Sequence, residues 1–485
     1  MDSFFDYLSS SLLGDRIAPD HLKLAVSILS TYPSAILFTH LKSSNIRHAF
    51  SIAYTSFILL YVLKMYDGFT HTLIVSMSSY LLLRSRQVTS TLAWVNFTLV
   101  MFSMSVCHIG RQWKGLEGDT KLDYSGAMMI LTIKLSSFGF NVMDGTNVTE
   151  KTERTKHMEE MKIAQYPTLL EYFGWVFYFG GFLTGPTCYY MDYFRFIELR
   201  TVDHPGKGYA AWKRLLKSLA FMGLLLYLAP TFNYFEALKP AWKQRSFWYK
   251  MGFIQLSGFL TRGKYYCIWY LSEGACILSG FGYHAERKEW NLLTNVNELD
   301  VEFAQSYKQL TENWNIGANH WLRNYVYLRF KKSSTMLGTT WKTYIISAMW
   351  HGFQPGFYLF FLILSSMQLL ARQARRTLRP LCFTAKEQQP ITYRKTIYDF
   401  FSWFLSLGFL NMMVPCFDLL YISRILVVWR EVYYCHLIIA ALAIAVFFTV
   451  LKPRCQAIQK RRVLNAQVEQ LSVGRAADST KLKNQ

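Results

Sequence analysis

A single histidine interrupts the apolar and aromatic stretch SAMWHGFQPGFYLFF, residues 347–361. An ionisable side chain is costly in hydrocarbon, so His351 is by default a candidate for a functional site. Its neutral imidazole could accept a proton from a hydroxyl group. Gly352 and Gly356 would let a ligand or another backbone segment approach closely. The alternative is a structural histidine that is hydrogen-bonded to a helix backbone.

A side-chain amide precedes this histidine in the segment TENWNIGANHW, residues 311–321. The amide of Asn315 could orient a nucleophile or donate a hydrogen bond to a developing oxyanion. The alternative is a packing or helix-capping role. The chain has no GxSxG motif and no Cys/His pair at a recognisable spacing, so nothing supports a covalent acyl-enzyme. Its eight cysteines form no CxxC or Cys/His ligand pattern, which indicates neither a zinc site nor a disulfide framework.

The elements that must position these side chains are typical of a membrane protein. Of 485 residues, 52% are hydrophobic and only 17% are charged, and apolar runs such as HLIIAALAIAVFFTVL recur from end to end. A helix needs about 20 mostly apolar residues to cross the hydrocarbon core, where the backbone must satisfy its own hydrogen bonds. We therefore predict an all-α, polytopic transmembrane protein with about ten or eleven spans. Residues 1–451 would form one membrane-embedded domain.

The formal net charge of +21 comes from basic residues in loops between the apolar runs. Such loops mark the cytosolic side of a membrane protein, and we expect residues 195–217, residues 371–380 and a basic tail, residues 452–485, on that side. Two apolar segments between the second stretch and the tail return the chain to the same side. The charge therefore predicts no nucleic-acid partner, although part of it could attract a polyanionic substrate.

The last five residues, KLKNQ, place Lys481 and Lys483 at the fifth and third positions from the end. This spacing resembles the dilysine retrieval signal of resident endoplasmic-reticulum membrane proteins, which must face the cytosol. A receptor reads such a signal, so it is an address and not an anchor. We therefore expect a multi-pass protein of the endoplasmic-reticulum membrane with a cytosolic C-terminus.

Two further segments carry charge in unusual places. Lys134 lies inside the predicted span 124–143, where it should face a cavity, a partner or a snorkelling path, and we expect snorkelling. Residues 284–340 are charged throughout but rich in aromatic side chains. This composition predicts amphipathic helices that lie at the interface or line a cavity mouth on the cytosolic face.

Three stretches of the C-terminal half recur as motifs of one known family. The first is RGKYYCIWYLSEGACILSGFGY, residues 262–283, and the third is SAMWHGFQPGF, residues 347–357. In the second, Glu302 is followed after eleven residues by Trp314 and Asn315, and Trp321 lies six residues beyond the asparagine. Together and in this order they resemble the signatures of the membrane-bound O-acyltransferases, specifically the lysophospholipid acyltransferase branch. The resemblance extends over about residues 120–370.

The resemblance implies the fold of that family, with a cavity lined by helices, and an acyl-CoA-dependent O-acyltransferase activity. The membrane-embedded part, residues 1–451, would then be the acyltransferase domain. His351 would remove the proton from the free hydroxyl of a lysophospholipid, and the oxygen would attack the thioester directly. Asn315 would stabilise or orient the reacting groups. Acyl-CoA would enter from the cytosol as co-substrate and the lysophospholipid from the bilayer, with no tightly bound cofactor and no metal.

The resemblance also points to residues that would contact the substrates. These are Arg262, Lys264, Tyr265, Tyr266, Glu273, Glu302, Trp314, Trp350 and Gly352. A basic cytosolic mouth for the anionic CoA could be formed by Arg262, Lys264, Arg323, Arg329, Lys331 and Lys332. The alternative for these six is ordinary juxtamembrane charge. Phe357 and Ala318 depart from the family's usual tyrosine and frequent threonine, which leaves the substrate preference open.

Other functions are compatible with parts of this pattern. Within the family, the acceptor could be a sterol, diacylglycerol or a protein, but the spacing from Glu302 to Trp314 favours a lysophospholipid, most simply lysophosphatidylcholine or lysophosphatidylethanolamine. From another class, a proton-coupled transporter could hold His351 in a proton relay. Transporters often show inverted repeats and paired broken helices, and this sequence shows neither.

Overall fold

The structure is a computed structural model that describes residues 2–12, 18–85, 87–115, 122–146, 154–198, 204–330, 335–384 and 389–483. Helices form nearly all of the regular structure in these ranges, where the extended pairing amounts to three isolated bridges. The predicted all-α class is therefore confirmed.

The helices fall into three groups along the chain. The first group comprises α1 (Asp2–Tyr7), α2 (Pro19–Leu29), α3 (Thr31–His40), α4 (Ser44–Phe57), α5 (Tyr66–Leu83), α6 (Ser90–Trp113), α7 (Ser125–Thr146), α8 (Lys156–Met161), α9 (Leu169–Val176) and α10 (Tyr190–Glu198). Helices α3 to α7, α9 and α10 of this group contribute to one large core. The second group begins with two long helices that pack as a hairpin, α11 (Lys207–Leu228) and α12 (Phe247–Leu278). Four short helices follow: α13 (Glu298–Glu302), α14 (Tyr307–Asn313), α15 (Ile316–Trp321) and α16 (Leu328–Phe330). The third group completes the chain: α17 (Met336–His351), α18 (Pro355–Leu378), α19 (Thr392–Met413), α20 (Pro415–Leu419), α21 (Ile422–Glu431), α22 (Cys435–Val446) and α23 (Lys452–Lys483).

Six helical segments of the described chain are long and apolar enough to cross a membrane, judged by length and composition. They are Pro19–His40, Ser90–Trp113, Ser125–Thr146, Pro355–Cys382, Thr392–Leu419 and Cys435–Asn465. The predicted ten or eleven spans also counted apolar runs such as SLAFMGLLLYLAP, residues 218–230. That run belongs to α11, whose first half carries four basic residues, so the helix as a whole is less apolar than the run.

Lys134 in α7 does not snorkel, contrary to the prediction. Its side chain is buried, with 3% of the residue exposed. The ammonium group donates to the carbonyl oxygens of Trp175, at 2.5 Å, and Val176, at 3.2 Å. These are the last two residues of α9, where carbonyl groups lack helical partners and the helix dipole favours a cation. The lysine therefore caps a buried helix end that the sequence did not reveal.

Polar side chains along α7 hold the segment that follows Asn315. The indole of Trp321 donates to the Ser136 hydroxyl at 2.9 Å, and the Tyr325 hydroxyl donates to Asn141 Oδ1 at 2.8 Å. One further turn along, a buried two-point ion pair joins Arg329 to Asp144 at 2.9 and 2.5 Å. The donors belong to α15, to the π-helical turn Leu322–Tyr327 and to α16. These contacts fix the short helices of the second group against a span.

The C-terminal helix runs without a break from α22 through the π-helical turn Phe447–Leu451 into α23. The predicted boundary between residues 451 and 452 therefore lies within a continuous helix. Gln459 donates to the Thr377 carbonyl at 2.6 Å, which joins the start of α23 to the end of α18. Lys481 and Lys483 belong to the backbone of α23, and their side chains lie outside the described part of the chain.

Candidate active site

His351 is the last residue of α17, at a sharp turn between two long helices. The turn follows from the sequence WHGFQP, because Gly352 adopts φ 141°, which other residues rarely adopt, and Pro355 starts α18. Gly356 brings the turn against α20: its N–H donates to Leu420 O at 2.8 Å, and a Cβ there would lie 2.2 Å from Cys416 O. Gly356 thus permits the predicted close approach of backbone, whereas Gly352 is required by its backbone conformation and by the nearby side chains of Gln354 and Phe357.

Among the described residues, the imidazole of His351 has one hydrogen bond and several aromatic neighbours. Its Nδ1 lies 2.7 Å from the carbonyl oxygen of Ser347. A carbonyl only accepts, so Nδ1 carries the proton and Nε2 has the lone pair. The ring centroid lies 5.1 Å from those of both Phe361 and Phe417 and 5.8 Å from that of Phe357. A partly buried nitrogen with a lone pair in apolar surroundings is suited to accept a proton from a bound alcohol.

Two helices of the first group hold the residue before His351. The Nε2–H of His108 in α6 donates to the Trp350 carbonyl at 3.0 Å, and the Trp350 indole donates to the Met129 carbonyl of α7 at 3.0 Å. His108 is not among the candidate residues that the sequence analysis selects. The signal was present: His108 is an ionisable residue within an apolar predicted span, which is the rule that selected His351.

Asn315 immediately precedes α15 and adopts the left-handed conformation, with φ 45°, which asparagine tolerates better than most residues. Asn295 holds this corner: its Nδ2 donates to Asn315 Oδ1 at 3.2 Å, its backbone oxygen accepts from Ile316 N–H, and its Oδ1 accepts from Gly317 N–H. Because the oxygen of the Asn315 amide is engaged, the group directed elsewhere is the NH₂ donor. A donor is the group that an oxyanion requires.

The helices that carry the two predicted catalytic residues meet through tryptophans. The rings of Trp321, at the end of α15, and Trp350 lie 5.9 Å apart. Both belong to one buried cluster with residues of α6 and α7. Within the described contacts, none joins Asn315 directly to His351. Asn315 lies six residues before Trp321, about 9 Å along a helix, so the structure relates the two side chains through this cluster.

Arg262 lies in a buried ion pair and not at an exposed basic mouth. Only 5% of the residue is exposed. Its Nε and Nη2 donate to the two carboxylate oxygens of Glu302 at 2.8 and 2.7 Å, and Nη1 donates to Asn411 Oδ1 at 2.5 Å. Tyr266 donates to the same carboxylate at 2.6 Å. Three predicted substrate-binding residues are thus brought together, but by contacts to one another that join α12 to α13 and α19.

The other motif residues of α12 line two separate clusters. Tyr265, Tyr266 and Trp269 surround the indole of Trp314 with ring centroids 5.0–5.8 Å apart, while Lys264 on the same turn is partly buried. Further along, Glu273 is buried: Oε1 lies 2.9 Å from Arg214 Nε and accepts from the Thr294 hydroxyl at 2.6 Å. Glu273 is therefore paired within the protein, one helical turn along α12 from Trp269 of the Trp314 cluster.

A second acidic residue beside α12 is charged in this environment. Glu298, in α13, accepts from Lys217 and from the Tyr270 hydroxyl. Burial disfavours the charged carboxylate, but the hydrogen bonds from Lys217 and Tyr270 outweigh it and hold the pKa of Glu298 below its ordinary value.

The proposed basic mouth is divided among different environments. Arg329 is in the buried pair with Asp144 described above, Arg323 is exposed, and Lys331 and Lys332 lie outside the described residues. In the part of the chain that the structure describes, no group of three or more His, Cys, Asp or Glu side chains could hold a metal ion.

Comparison with known proteins identifies the family. Residues 47–414 match the model of MBOAT, the membrane-bound O-acyltransferase family. The chain is 31% identical to a lysophospholipid acyltransferase of Schizosaccharomyces pombe over 92% of its own length and 89% of the relative's. It is 30% identical to a lysophospholipid acyltransferase of Saccharomyces cerevisiae, with 86% and 72% covered, and 29% identical to a membrane-bound glycerophospholipid O-acyltransferase 2 of Gallus gallus, with 89% and 86% covered. The chain, a polytopic helical membrane protein, belongs to the membrane-bound O-acyltransferase family and is an acyltransferase.

Proposed function

We propose that this enzyme transfers a fatty acyl group from acyl-CoA to the free hydroxyl of a lysophospholipid, with His351 as the general base. The observation that carries the proposal is the bond from Nδ1 of His351 to Ser347 O, because it leaves Nε2 as the basic nitrogen. The aromatic rings around this nitrogen exclude bulk water, which would otherwise compete with the lipid alcohol for the thioester.

The reaction needs one proton acceptor and one oxyanion donor. Nε2 of His351 takes the hydroxyl proton as the oxygen bonds to the thioester carbonyl carbon. The carbonyl oxygen becomes an oxyanion, which the Asn315 amide stabilises by donating a hydrogen bond. The carbon–sulfur bond then breaks, the imidazolium returns its proton to the CoA thiolate, and the ester is released. No covalent bond to the protein forms at any stage.

The acceptor class follows from the relatives and the motif spacing. Relatives from two yeasts carry the name lysophospholipid acyltransferase, and the alignments with this chain cover 89% and 72% of their lengths. We assign lysophosphatidylcholine and lysophosphatidylethanolamine as first acceptors. The spacing from Glu302 to Trp314 resembles that of the lysophospholipid branch and favours this acceptor class over a sterol, diacylglycerol or protein.

The substrate-binding residues divide by their contacts. Arg262, Tyr266, Glu302 and Glu273 are assigned a structural role, because each is paired within the protein. Tyr265 is 42% exposed and adjoins Trp314, so these two rings and the partly buried Lys264 are the better candidates for substrate contact. Trp350 and Gly352 act through the position of His351.

The test measures a covalent product. Purified full-length protein is given labelled acyl-CoA and one acceptor at a time: a lysolipid from a panel, a sterol or diacylglycerol. Each acceptor is supplied in bilayers of the same composition. Transfer to lysophospholipids supports the proposal. Transfer only to another acceptor overturns the acceptor class, and ligand movement across the bilayer without a product supports the transporter alternative.

We also assign the enzyme to the endoplasmic-reticulum membrane, with a cytosolic basic tail at residues 452–485 that carries Lys481 and Lys483. Deletion of residues 481–485 should let the protein reach later compartments, which microscopy of a tagged protein detects. A matched control changes Lys481 and Lys483 to arginine and keeps the charge. Unchanged reticular localisation after the deletion would exclude these lysines as the retrieval signal.

A further inference from the structure

A polar cleft opens where α6 ends and α7 begins, outside the three motif stretches. It consists of two adjoining cavities of about 180 and 250 Å³. Residues that line both cavities are Met65, Arg111, Leu122, Asp123 and Tyr124. We call this feature the Arg111 cleft. Neither the mechanism above nor the substrate-binding residues of α12 use it.

Both walls of the Arg111 cleft belong to the helices that hold Trp350. Arg111 lies one helical turn beyond His108, which donates to the Trp350 carbonyl at 3.0 Å. Gly126 lies one turn before Met129, whose carbonyl accepts from the Trp350 indole at 3.0 Å. A helical turn rises about 5 Å, so the floor of the cleft lies about that far along both helices from the residue before His351.

The charges of the cleft are arranged in two levels, and each level holds both signs. On the floor, Arg111 Nε lies 3.4 Å from Asp123 Oδ2, and Arg111 Nη1 donates to the Ser125 hydroxyl at 3.0 Å. At the mouth, Lys114 Nζ lies 3.4 Å from Asp67 Oδ2. The Asp67 side chain is 82% exposed, and Tyr66 beside it is 58% exposed. At the inner level the cation is the more exposed member of its pair, with 26% of the Arg111 side chain exposed against 15% for Asp123. At the outer level the carboxylate is the more exposed member, and it lies beside an aromatic ring.

We propose that the Arg111 cleft binds the zwitterionic head group of the acceptor lysophospholipid, with its phosphate at Arg111 and its ammonium at Asp67 and Tyr66. In such a lipid the phosphate is nearer the glycerol hydroxyl than the ammonium is, which matches the order from floor to mouth. Guanidinium groups bind phosphate through paired donors, and carboxylates and aromatic faces attract ammonium groups. This inference rests on the proposed function and deepens it.

The distance between the Arg111 cleft and His351 suits a single lysophospholipid that binds the cleft with its head group and presents its glycerol hydroxyl to His351. Lys114 lies six residues beyond His108, which corresponds to about 9 Å along α6. The exposed mouth therefore stands one head group above the level at which His351 would meet the glycerol hydroxyl. An anionic head group without an ammonium would leave the Asp67 carboxylate facing no opposite charge from the ligand, so the cleft favours zwitterions.

The ammonium end is tested with Asp67→Asn. The exposed position keeps the fold intact, and Glu312→Gln, in the exposed Lys308–Glu312 pair outside the cleft, is the matched control. Each protein acylates lysophosphatidylcholine and lysophosphatidylglycerol of one chain length at saturating acyl-CoA, and kcat/KM is measured. Asp67→Asn should lower kcat/KM for lysophosphatidylcholine about threefold to fivefold and leave lysophosphatidylglycerol unchanged. Equal changes for both acceptors, or none, would overturn the ammonium assignment.

The phosphate end is tested by removing both floor charges together, with Arg111→Gln and Asp123→Asn in one variant, so that no unpaired carboxylate is left behind. KM for both lysolipids should rise about tenfold or more, because both carry the phosphate. An unchanged KM for both would overturn the phosphate assignment.

A measurement on the unmodified enzyme makes the test independent of folding. Soluble phosphocholine should inhibit competitively against lysophosphatidylcholine and non-competitively against acyl-CoA, and Asp67→Asn should raise its inhibition constant. Lack of competition with the lysolipid would overturn the cleft as a head-group site. Failure of the proposed function looks different, because the wild-type enzyme would then acylate no lysophospholipid at all.

Discussion

His351 and Arg262 are both ionisable residues of family motifs in apolar helical surroundings, and the structure gives them opposite environments. Arg262 donates from Nε and both terminal nitrogens to Glu302 and Asn411. His351 has one bond to its own helix, and its described ring neighbours are aromatic. One charge is fully compensated within the fold, whereas the other residue keeps a basic nitrogen without a charged partner among these contacts.

This difference separates two reasons for an ionisable residue in a membrane helix. A compensated charge links secondary-structure elements, here α12, α13 and α19, so its removal should lower the free energy of unfolding. An imidazole without a charged partner does not link helices in this way, so its removal should lower the rate of the reaction and leave stability nearly unchanged. Motif membership alone does not distinguish the two cases.

The largest expected effect is that of His351→Ala on turnover. Loss of a general base typically reduces a rate about 10²- to 10⁴-fold. Thermal stability should be nearly unchanged, because the hydrogen bond that the described residues give this side chain is to Ser347 of its own helix. Acyl transfer by purified protein, together with thermal unfolding in the same detergent, checks both parts. His40→Ala, at an exposed helix end, is the control, and substantial turnover by the His351 variant would remove this residue from the role of base.

The reverse pattern is expected for Glu302→Ala. Removal of one partner of a buried ion pair leaves Arg262 uncompensated and typically costs about 3–5 kcal/mol. Unfolding temperature should fall sharply, while the fraction that remains folded keeps its turnover number. Glu302→Gln, which retains a hydrogen-bond acceptor, should be intermediate in stability. A variant of normal stability with a raised KM for acyl-CoA would show instead that this pair binds substrate.

The sequence predicts the features of this site that depend on neighbouring residues, but not those that depend on contacts with residues far along the chain. The helix class, the turn at Gly352 and Pro355 and the position of His351 at a helix end follow from local residue types. The burial of Arg262 does not, because Asn411 lies 149 residues further along the chain. The prediction that Lys134 snorkels is wrong for the same reason. The partners of Lys134 are backbone carbonyls 41 and 42 residues away, at a helix end that has no sequence signature.

His108 shows the limit most clearly, because its partner is a backbone carbonyl 242 residues away, which no motif encodes. Its sequence neighbourhood identifies an ionisable residue in a span, but only the packing of α6 against α17 gives it a role. The contact with Trp350 O makes His108 a positioning residue, intermediate between the two cases above. Its imidazole has a hydrogen-bond partner in the fold, but this partner is the carbonyl of Trp350, the residue immediately before His351.

Of the substitutions at His351, Glu302 and His108, His108→Phe should have the smallest effect. The ring volume is kept, the donor to Trp350 O is lost, and the Trp350 carbonyl becomes a buried acceptor without this partner. We expect kcat to fall about tenfold, the equivalent of about 1.4 kcal/mol, with KM for both substrates unchanged. His108→Gln, which can still donate, should recover most of the loss, whereas a purely structural role would lower the amount of folded enzyme and leave its kcat intact. Steady-state kinetics of the two variants at matched folded concentration decide between these outcomes, since equal kcat values for phenylalanine and glutamine would exclude the hydrogen bond as the cause.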